Sequence, residues 1–244
     1  MRIIPLFFLA ILAMSAWSQQ ADAFYLLDRN WKPCKKDSAQ FFIRVRQLQD
    51  NKWQWDYYNM FGPLVKSERY LDKDGNVQEG RSFYYDSKGL LDSTTEWREN
   101  KRNGDSYRYT GDSLHMRFKY VYRDDSLVDF VDVLAQKHDT SSKDSAEKES
   151  EFPGGVSRWL RYLNKNLKYP DRAINSKIDG QVRVCFIVDK EGNVIDPFIA
   201  KSVEWSLDDE SVAIIKASGQ WTPAIQFGKI VKSYKLQPIV YRLE

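Results

Sequence analysis

Hydrophobic and polar residues alternate along three runs in the last third of the chain, a pattern typical of β-strands with one buried face. The first run is 181–188, and its apolar side is formed by Val182, Val184, Phe186 and Val188. A turn at 189–192 joins it to a second run at 194–202. The third run, 229–241, contains Pro238, which favours a sheet edge because proline has no amide hydrogen to donate. The pattern predicts a hairpin and a later edge strand.

Two helices are predicted around these strands. Apolar residues recur at helical spacing from 156 to 167, and Pro170 then holds the residue before it in an extended conformation. A second helix is expected to begin at Ser206 as its N-cap, followed by the acids Asp208, Asp209 and Glu210. We interpret these acids as charges that favour the helix N-terminus. Paired catalytic carboxylates are the other interpretation, but adjacent helix residues point in different directions and no histidine lies nearby.

Residues 24–133 have a different pattern, with short aromatic-rich runs between glycine turns. The turns fall at Gly62, Gly75, Gly89 and Gly104. Within a run the aromatic residues lie two apart, as in Tyr107 and Tyr109, so that one face of a strand can pack. This pattern predicts an all-β antiparallel repeat module built from hairpins. The module is either a platform for a ligand or partner, or a passive sheet that spaces and displays the next domain.

A polar segment at 134–151 follows, and its composition is too hydrophilic to form a core. At the other end of the chain, an apolar run of residues 3–13 is followed by small residues at Ala16 and Ser18, which predicts an export signal at 1–18. An uncleaved anchor in the inner membrane is the alternative. We therefore expect a signal peptide at 1–18, a repeat module at 24–133, a linker at 134–151 and a second domain at 152–244.

The amino-acid composition argues against nucleic-acid binding, metal binding and catalysis. The 244 residues include 37 basic and 34 acidic ones, a net charge of +3, which does not favour nucleic acid as a partner. The two cysteines, Cys34 and Cys185, cannot form a zinc site alone, and whether they pair is left open. His115 and His138 are far apart in sequence, and no nucleophile or phosphate-binding motif is present. We expect no enzymatic activity, no metal site and no cofactor.

The order of motifs after residue 152 resembles the C-terminal domain of TonB energy transducers, in the form that begins Phe-Pro-Gly-Gly. The chain carries that tetrapeptide at 152–155, and the other motif residues include Tyr169, Pro170, Gly180, Trp221, Pro223 and Gly228. The resemblance implies an α+β domain with two helices on one face of a three-stranded antiparallel sheet, and a location in the periplasm. Residues 55–112 resemble, with irregular units, the MORN-like repeats of the toxin-antitoxin type.

The resemblance also implies a function. In that family the domain binds a segment of an outer-membrane transporter by adding it as a strand beside its own last strand, a mode called β-augmentation. The corresponding partner-binding residues here are Ile230, Val231, Lys232, Ser233, Tyr234 and Lys235. The expected partners are an outer-membrane TonB-dependent transporter or another envelope protein, with an inner-membrane motor complex and a homodimer as further candidates.

Two features depart from the family and keep alternatives open. A transducer usually has a membrane-anchoring helix and a long proline-rich spacer, and this chain shows neither clearly. The protein is therefore either a TonB-like binder in energy-dependent transport or a non-energised adaptor that holds other envelope proteins. The edge of the last strand is either open to a partner or protected within the protein or by a second copy.

Overall fold

The computed structural model describes residues 22–111, 114–133 and 148–243. The predicted signal peptide, His138 and most of the predicted linker lie outside these residues. The described chain forms one large antiparallel sheet, followed by a smaller α+β domain that packs against it.

The large sheet contains nine strands in sequence order, each antiparallel to the next. Its strands are β1 (Ala23–Leu27), β2 (Phe41–Gln47), β3 (Trp53–Asn59), β4 (Leu64–Tyr70), β5 (Gly80–Tyr85), β6 (Leu91–Arg98), β7 (Lys101–Thr110), β8 (His115–Arg123) and β9 (Ser126–Asp132). The predicted all-β antiparallel module is confirmed. We call it the repeat sheet.

The C-terminal domain has two twelve-residue helices, one five-residue helix and a three-stranded sheet. Its elements are α1 (Gly155–Asn166), α2 (Asp171–Asn175), β10 (Gly180–Val188), β11 (Val194–Lys201), α3 (Trp205–Lys216), β12 (Ala224–Gln226), β13 (Lys229–Val231) and β14 (Ser233–Tyr241). The sheet order is β11-β10-β14, so β10 is central and antiparallel to both neighbours. The predicted α+β fold is confirmed.

The core of this domain lies between the sheet and the helices. The four apolar residues predicted for one face of β10 are fully buried. They form one cluster with Trp159 of α1, with Leu207 and Ile215 of α3, and with Trp221. Burying an aliphatic or aromatic side chain of this kind contributes about 1.5–3 kcal/mol each, so this cluster is a main source of the domain's stability.

The predicted strand over 229–241 is interrupted. Residues 229–231 pair with β12 in a two-stranded hairpin, and only 233–241 pair with β10. Phe227 and Gly228 both have positive φ angles and form the tight turn of that hairpin. Because the hairpin occupies the backbone groups of β13, the long edge strand begins only at Ser233.

The second face of the C-terminal sheet packs on the repeat sheet. Phe198 of β11 contacts Phe83 of β5, with ring centroids 5.1 Å apart. The Tyr85 hydroxyl donates to the carbonyl of Ile199 at 2.8 Å, and Asp196 lies 3.6 Å from an Arg81 guanidinium nitrogen. The helices cover one face of the three-stranded sheet and the repeat sheet covers part of the other.

The backbones of the two modules meet at a repeat turn. Ser202 donates its amide to the carbonyl of Gly89 at 2.8 Å, and Leu90 and Lys201 form an antiparallel bridge. A Cβ on Gly89 would lie 2.4 Å from the Ser202 carbonyl oxygen. Glycine is therefore required at position 89 for this close approach, as well as for its positive φ of 75°.

Gly89→Ala is expected to destabilise the protein more than Gly111→Ala. Both glycines have a positive φ, so each substitution costs about 1–2 kcal/mol of backbone strain. Gly111 has no atom within 4 Å of an added Cβ, whereas Gly89 meets Ser202, which adds about 1–3 kcal/mol of overpacking. Urea unfolding of the two variants measures the difference. Equal losses of unfolding free energy would contradict the close contact.

Candidate functional site

The outer edge of β14 is the candidate functional site. One side of β14 pairs with β10 along residues 233–241, and no described strand pairs with its other side. The opposite edge of the small sheet, β11, is engaged at its C-terminal end by Gly89 and Leu90. An open row of backbone amide and carbonyl groups is a template for pairing with another chain.

An apolar groove runs between the second half of this edge and helix α1. Its volume is about 670 Å³, and its lining includes Val156, Leu160, Leu163, Leu167, Pro238 and Val240. Val156 is 75% exposed and Leu160 is 53% exposed, so apolar side chains of α1 face solvent beside the strand. The groove could bury the apolar side chains of an added strand.

A second, more polar groove of about 420 Å³ continues along the first half of the edge. Residues 148–150, just before the domain, form one of its walls. Lys148 bridges to Ile225, and Glu151 bridges to Thr222. The Ser233 hydroxyl donates to the Ser150 hydroxyl at 3.0 Å, and Lys235 lies 3.1 Å from a Glu149 carboxylate oxygen. We call residues 148–151 the strap. Together the two grooves follow the whole of β14.

The predicted partner-binding residues fall in different places along this edge. Ile230 and Val231 pair with β12, and Lys232 lies between the two strands. Ser233, Tyr234 and Lys235 form the start of β14, where Tyr234 is 64% exposed. The second half of β14 and the exposed side of α1 were not singled out from the sequence. The helical spacing of Val156 and Leu160 was visible, but a helical pattern alone does not distinguish core residues from a groove wall.

The motif residues that carry the family resemblance shape the domain instead of lining its edge. Trp221 packs on Phe186 with centroids 5.0 Å apart, and Gly180 has a φ of 149° with Val203 close to where its Cβ would lie. Three other motif residues lie at turns or element ends: Pro170 precedes α2, Pro223 precedes β12, and Gly228 forms the hairpin turn. Tyr169 donates its hydroxyl to the Ile178 carbonyl at 2.7 Å. Of these motif residues, only Tyr169 also lines a groove.

The family model of the Gram-negative bacterial TonB protein C-terminal region matches residues 165–243. These residues are a TonB C-terminal domain. The match spans the small sheet with α2 and α3 and leaves the repeat sheet outside it, so the resemblance of 55–112 to MORN-like repeats stays a prediction. Searches of the curated proteins and of the solved structures found no match. Residues 165–243 thus belong to a kind of domain that is found in the bacterial envelope.

A buried polar cluster joins the TonB domain to the repeat sheet. Asp208 accepts hydrogen bonds from the Ser202 hydroxyl at 2.5 Å, the Val203 amide at 3.1 Å and the Tyr58 hydroxyl at 3.3 Å. Ser202 in turn accepts from the amide of Leu64 at 2.7 Å. Asp208 is 1% exposed and Tyr58 is 4% exposed. Tyr58 and Leu64 belong to the repeat sheet, so both modules supply donors to this cluster.

The prediction of Ser206 as the N-cap of α3 was wrong, whereas Asp208 does lie in the first turn of the helix. The N-cap is Glu204, whose carboxylate accepts from the Ser206 amide at 2.9 Å, and Ser206 lies inside the helix. Asp209 accepts from Arg44 of the repeat sheet at 2.8 Å, and Glu210 accepts from the Lys168 amide at 2.9 Å. The first-turn acids have tertiary partners, which a local pattern could not reveal.

Arg172 of α2 makes another contact between the modules. Its Nε donates to the buried Glu204 carboxylate at 2.6 Å, and its Nη2 donates to the carbonyl of Met60 at 2.5 Å. The guanidinium also lies 5.0 Å from the Phe61 ring and 5.8 Å from the Trp205 ring. Glu204 is fully buried, so removing Arg172 would leave a buried carboxylate without its cation.

Three further observations bear on the sequence predictions. Cys34 and Cys185 are both free thiols, and burial raises the pKa of the Cys185 thiol to about 12. Within the described ranges, no group of histidine, cysteine or acidic side chains could hold a metal ion. None of the helices described has the length and apolar character needed to span a membrane.

Asp208→Asn is expected to change how stability depends on pH. Burial raises the pKa of the Asp208 carboxyl from 3.8 to about 7. Between these values the unfolded chain has lost this proton and the folded protein keeps it, so the native protein loses stability as pH rises. The variant lacks this group, and its unfolding free energy should therefore rise relative to the native protein by up to about 1.4 kcal/mol per pH unit.

Urea unfolding from pH 4 to pH 8 measures this effect, and the difference should level off above pH 7. Asp74→Asn, in an exposed repeat turn, is the matched control. If the Asp208→Asn and native curves run parallel across this range, the carboxyl does not titrate as described.

Proposed function

We propose that this protein binds an extended segment of an outer-membrane TonB-dependent transporter, or of another envelope protein, by strand addition to the free edge of β14. The observation that carries the proposal is a nine-residue strand, 233–241, with one side unpaired and grooves along its length. Main-chain hydrogen bonds would supply affinity, and the grooves would select side chains.

The arrangement of the two modules supports this choice of edge. The end of β11 is engaged by the repeat sheet, and β10 is paired on both sides. β14 is therefore the edge of the small sheet that a partner strand can reach along its full length. The predicted residues Ser233, Tyr234 and Lys235 form its first third, and we extend the binding strand to Tyr241.

The cellular setting is part of the proposal. The sequence of residues 1–18 favours export to the periplasm, or an inner-membrane anchor if this segment is retained. In the periplasm the TonB domain would meet transporter segments, and a proton-driven motor complex would supply energy if the anchor is present. We propose a binding role without enzymatic activity.

A non-energised adaptor is the second candidate, and the packing of the repeat sheet favours it. In this chain the repeat sheet contacts the TonB domain through Arg44, Tyr58 and Tyr85, as residues of a single folded unit do. Such a unit can hold a partner through β14 without transmitting force through a long spacer.

Leu160→Glu is expected to weaken capture of a partner strand by about tenfold or more. The substitution places a charge in the apolar groove beside β14, where burying it without a partner is unfavourable by at least about 1.4 kcal/mol. The measurement is a titration of the isotope-labelled full chain with ten-residue peptides from the N-terminal segments of the host's outer-membrane transporters, following the amides of 233–241.

Arg161→Glu is the matched control, because Arg161 is exposed on the same helix but does not line the groove. Saturable shifts along β14 that Leu160→Glu weakens and Arg161→Glu leaves nearly unchanged would support strand capture. An absence of shifts along β14 with every peptide would contradict the transporter proposal and leave the adaptor.

A further inference from the structure

One row of side chains crosses five strands of the repeat sheet on the face that meets the TonB domain. The register pairs Phe83 with Thr94, Thr94 with Tyr107, Tyr107 with Lys119, and Lys119 with Val131. Directly paired residues of an antiparallel sheet share a face. Since Phe83 contacts Phe198 of the TonB domain, this whole row lies on the side of that domain.

A second row of side chains crosses the three strands of the TonB sheet, on the face that meets the repeat sheet. Phe198 of β11 pairs with Cys185 of β10, and Cys185 pairs with Leu236 of β14. Tyr234 lies on the same face as Leu236, two residues earlier. Cys185 is buried although it points away from the helices, which places the repeat sheet over it.

The strand order β11-β10-β14 in the TonB sheet and the order β5-β6-β7 in the repeat sheet run in the same direction. Phe198 of β11 lies over β5. Burial raises the pKa of Tyr109 of β7, and Cys185 and Tyr234 of the TonB sheet add weaker contributions, which agrees with their lying near β7. Burial and the neighbouring Asp105 carboxylate raise the pKa of Tyr107, and Tyr234 adds a weaker contribution of the same sign. Neighbouring strands are about 4.8 Å apart in both sheets, so β14 lies near β7. Strands β8 and β9 therefore extend past the free edge of β14.

This overhang provides side chains where a captured strand would lie. Lys119, Val121 and Val131 are on the face toward the TonB domain and are partly exposed. With β14 near β7, we infer that they lie beyond the strands of that domain. Tyr234, 64% exposed on the same side of β14, leaves room for a partner next to it.

We propose that strands β7–β9 form a second wall of the strand-binding cleft, and that the cleft selects an acidic extended segment of a partner protein with apolar residues at alternate positions. This inference rests on the proposed function. Side chains on one face of the captured strand meet Tyr107, Val121 and Val131. Side chains on the other face meet the groove beside α1, so the protein contacts the side chains on both faces of the segment.

Charge complementarity selects the acidic partner. The two grooves along β14 are lined by four cations and one anion, namely Lys148, Lys232, Lys235, Arg242 and Glu149. The inner face of β7–β9 adds Lys119, Asp105 and Asp129, so five cations face three anions and the cleft has two more cations than anions. A segment with carboxylates would meet net positive charge there, and a basic segment would be repelled. A second copy of this chain is the competing occupant, with its own edge strand in the cleft.

The test uses the isotope-labelled full chain and two eight-residue peptides. One has the sequence Thr-Val-Glu-Val-Thr-Val-Glu-Val, and the other has lysine in place of glutamate. With the acidic peptide, amides of both 233–241 and 119–121 are expected to shift, and binding should weaken as salt is added. The lysine peptide is expected to bind at least about tenfold more weakly.

Tyr107→Ala and Tyr122→Ala form the matched pair of variants. Tyr107 lies on the inner face, and Tyr122 pairs with Gly104 on the outer face of the same two strands. Tyr107→Ala should weaken binding of the acidic peptide about fivefold, because an aromatic contact is lost, whereas Tyr122→Ala should leave it unchanged.

The outcomes separate this inference from the proposed function. Shifts confined to β14, with equal affinity for both variants, would overturn the second wall and leave strand addition intact. Equal binding of both peptides would overturn the acidic partner. No shift along β14 would overturn strand addition and the inference with it. Concentration-dependent dimerisation, measured by sedimentation, that protects 233–241 and excludes the peptide would assign the cleft to a second copy.

Discussion

The contact between strand β11 and the repeat sheet determines what the rest of the protein can do. At its centre Ser202 donates its amide to Gly89 and its hydroxyl to Asp208, and it accepts the amide of Leu64. Buried polar groups of this kind are costly unless each has a partner, and here every partner lies at a fixed place in one of the two modules. The cluster therefore stabilises one relative position of the repeat sheet and the TonB domain.

That position decides which edge of the small sheet is available. With the C-terminal end of β11 engaged, β14 is the edge of the small sheet whose backbone groups no described strand pairs along its whole length, and the apolar side of α1 lies next to it. The repeat sheet lies on the other face and continues past the β14 edge. A module that looks like a spacer in the sequence thus becomes part of the surroundings of the binding edge. The polar strap at 148–151 forms a further wall.

The core of the TonB domain could be predicted from the sequence because its signals are local. The alternation in 181–188 predicted the buried face of β10, and the helical spacing over 156–167 predicted α1, whose buried residues are Trp159 and Leu163. The hairpins of the repeat module followed from aromatic runs and glycine turns. In each case the pattern reflects burial within one element, which is the information that periodicity carries.

The contact between the modules could not be predicted in this way. Asp208 lies in the first turn of a helix, where the favourable interaction of an acid with the helix N-terminus already accounts for it. Its partner Tyr58 is 150 residues away in sequence. Gly89 resembles the other repeat glycines in sequence, and only its close contacts with the Ser202 carbonyl and the Pro63 side chain distinguish it. The break in the last strand at Lys232 was also missed, because the alternation continues through it while the pairing changes from β12 to β10.

Amide hydrogen exchange of Ser202 and Leu64 in the full chain tests the central claim most directly, because each of these amides donates to an acceptor in the other module. If the modules form one packed unit, both amides should exchange only by global unfolding, with the same protection as the core amides of β10. Exchange of both at the rate of exposed backbone, while β10 stays protected, would show that the modules separate and would contradict the account.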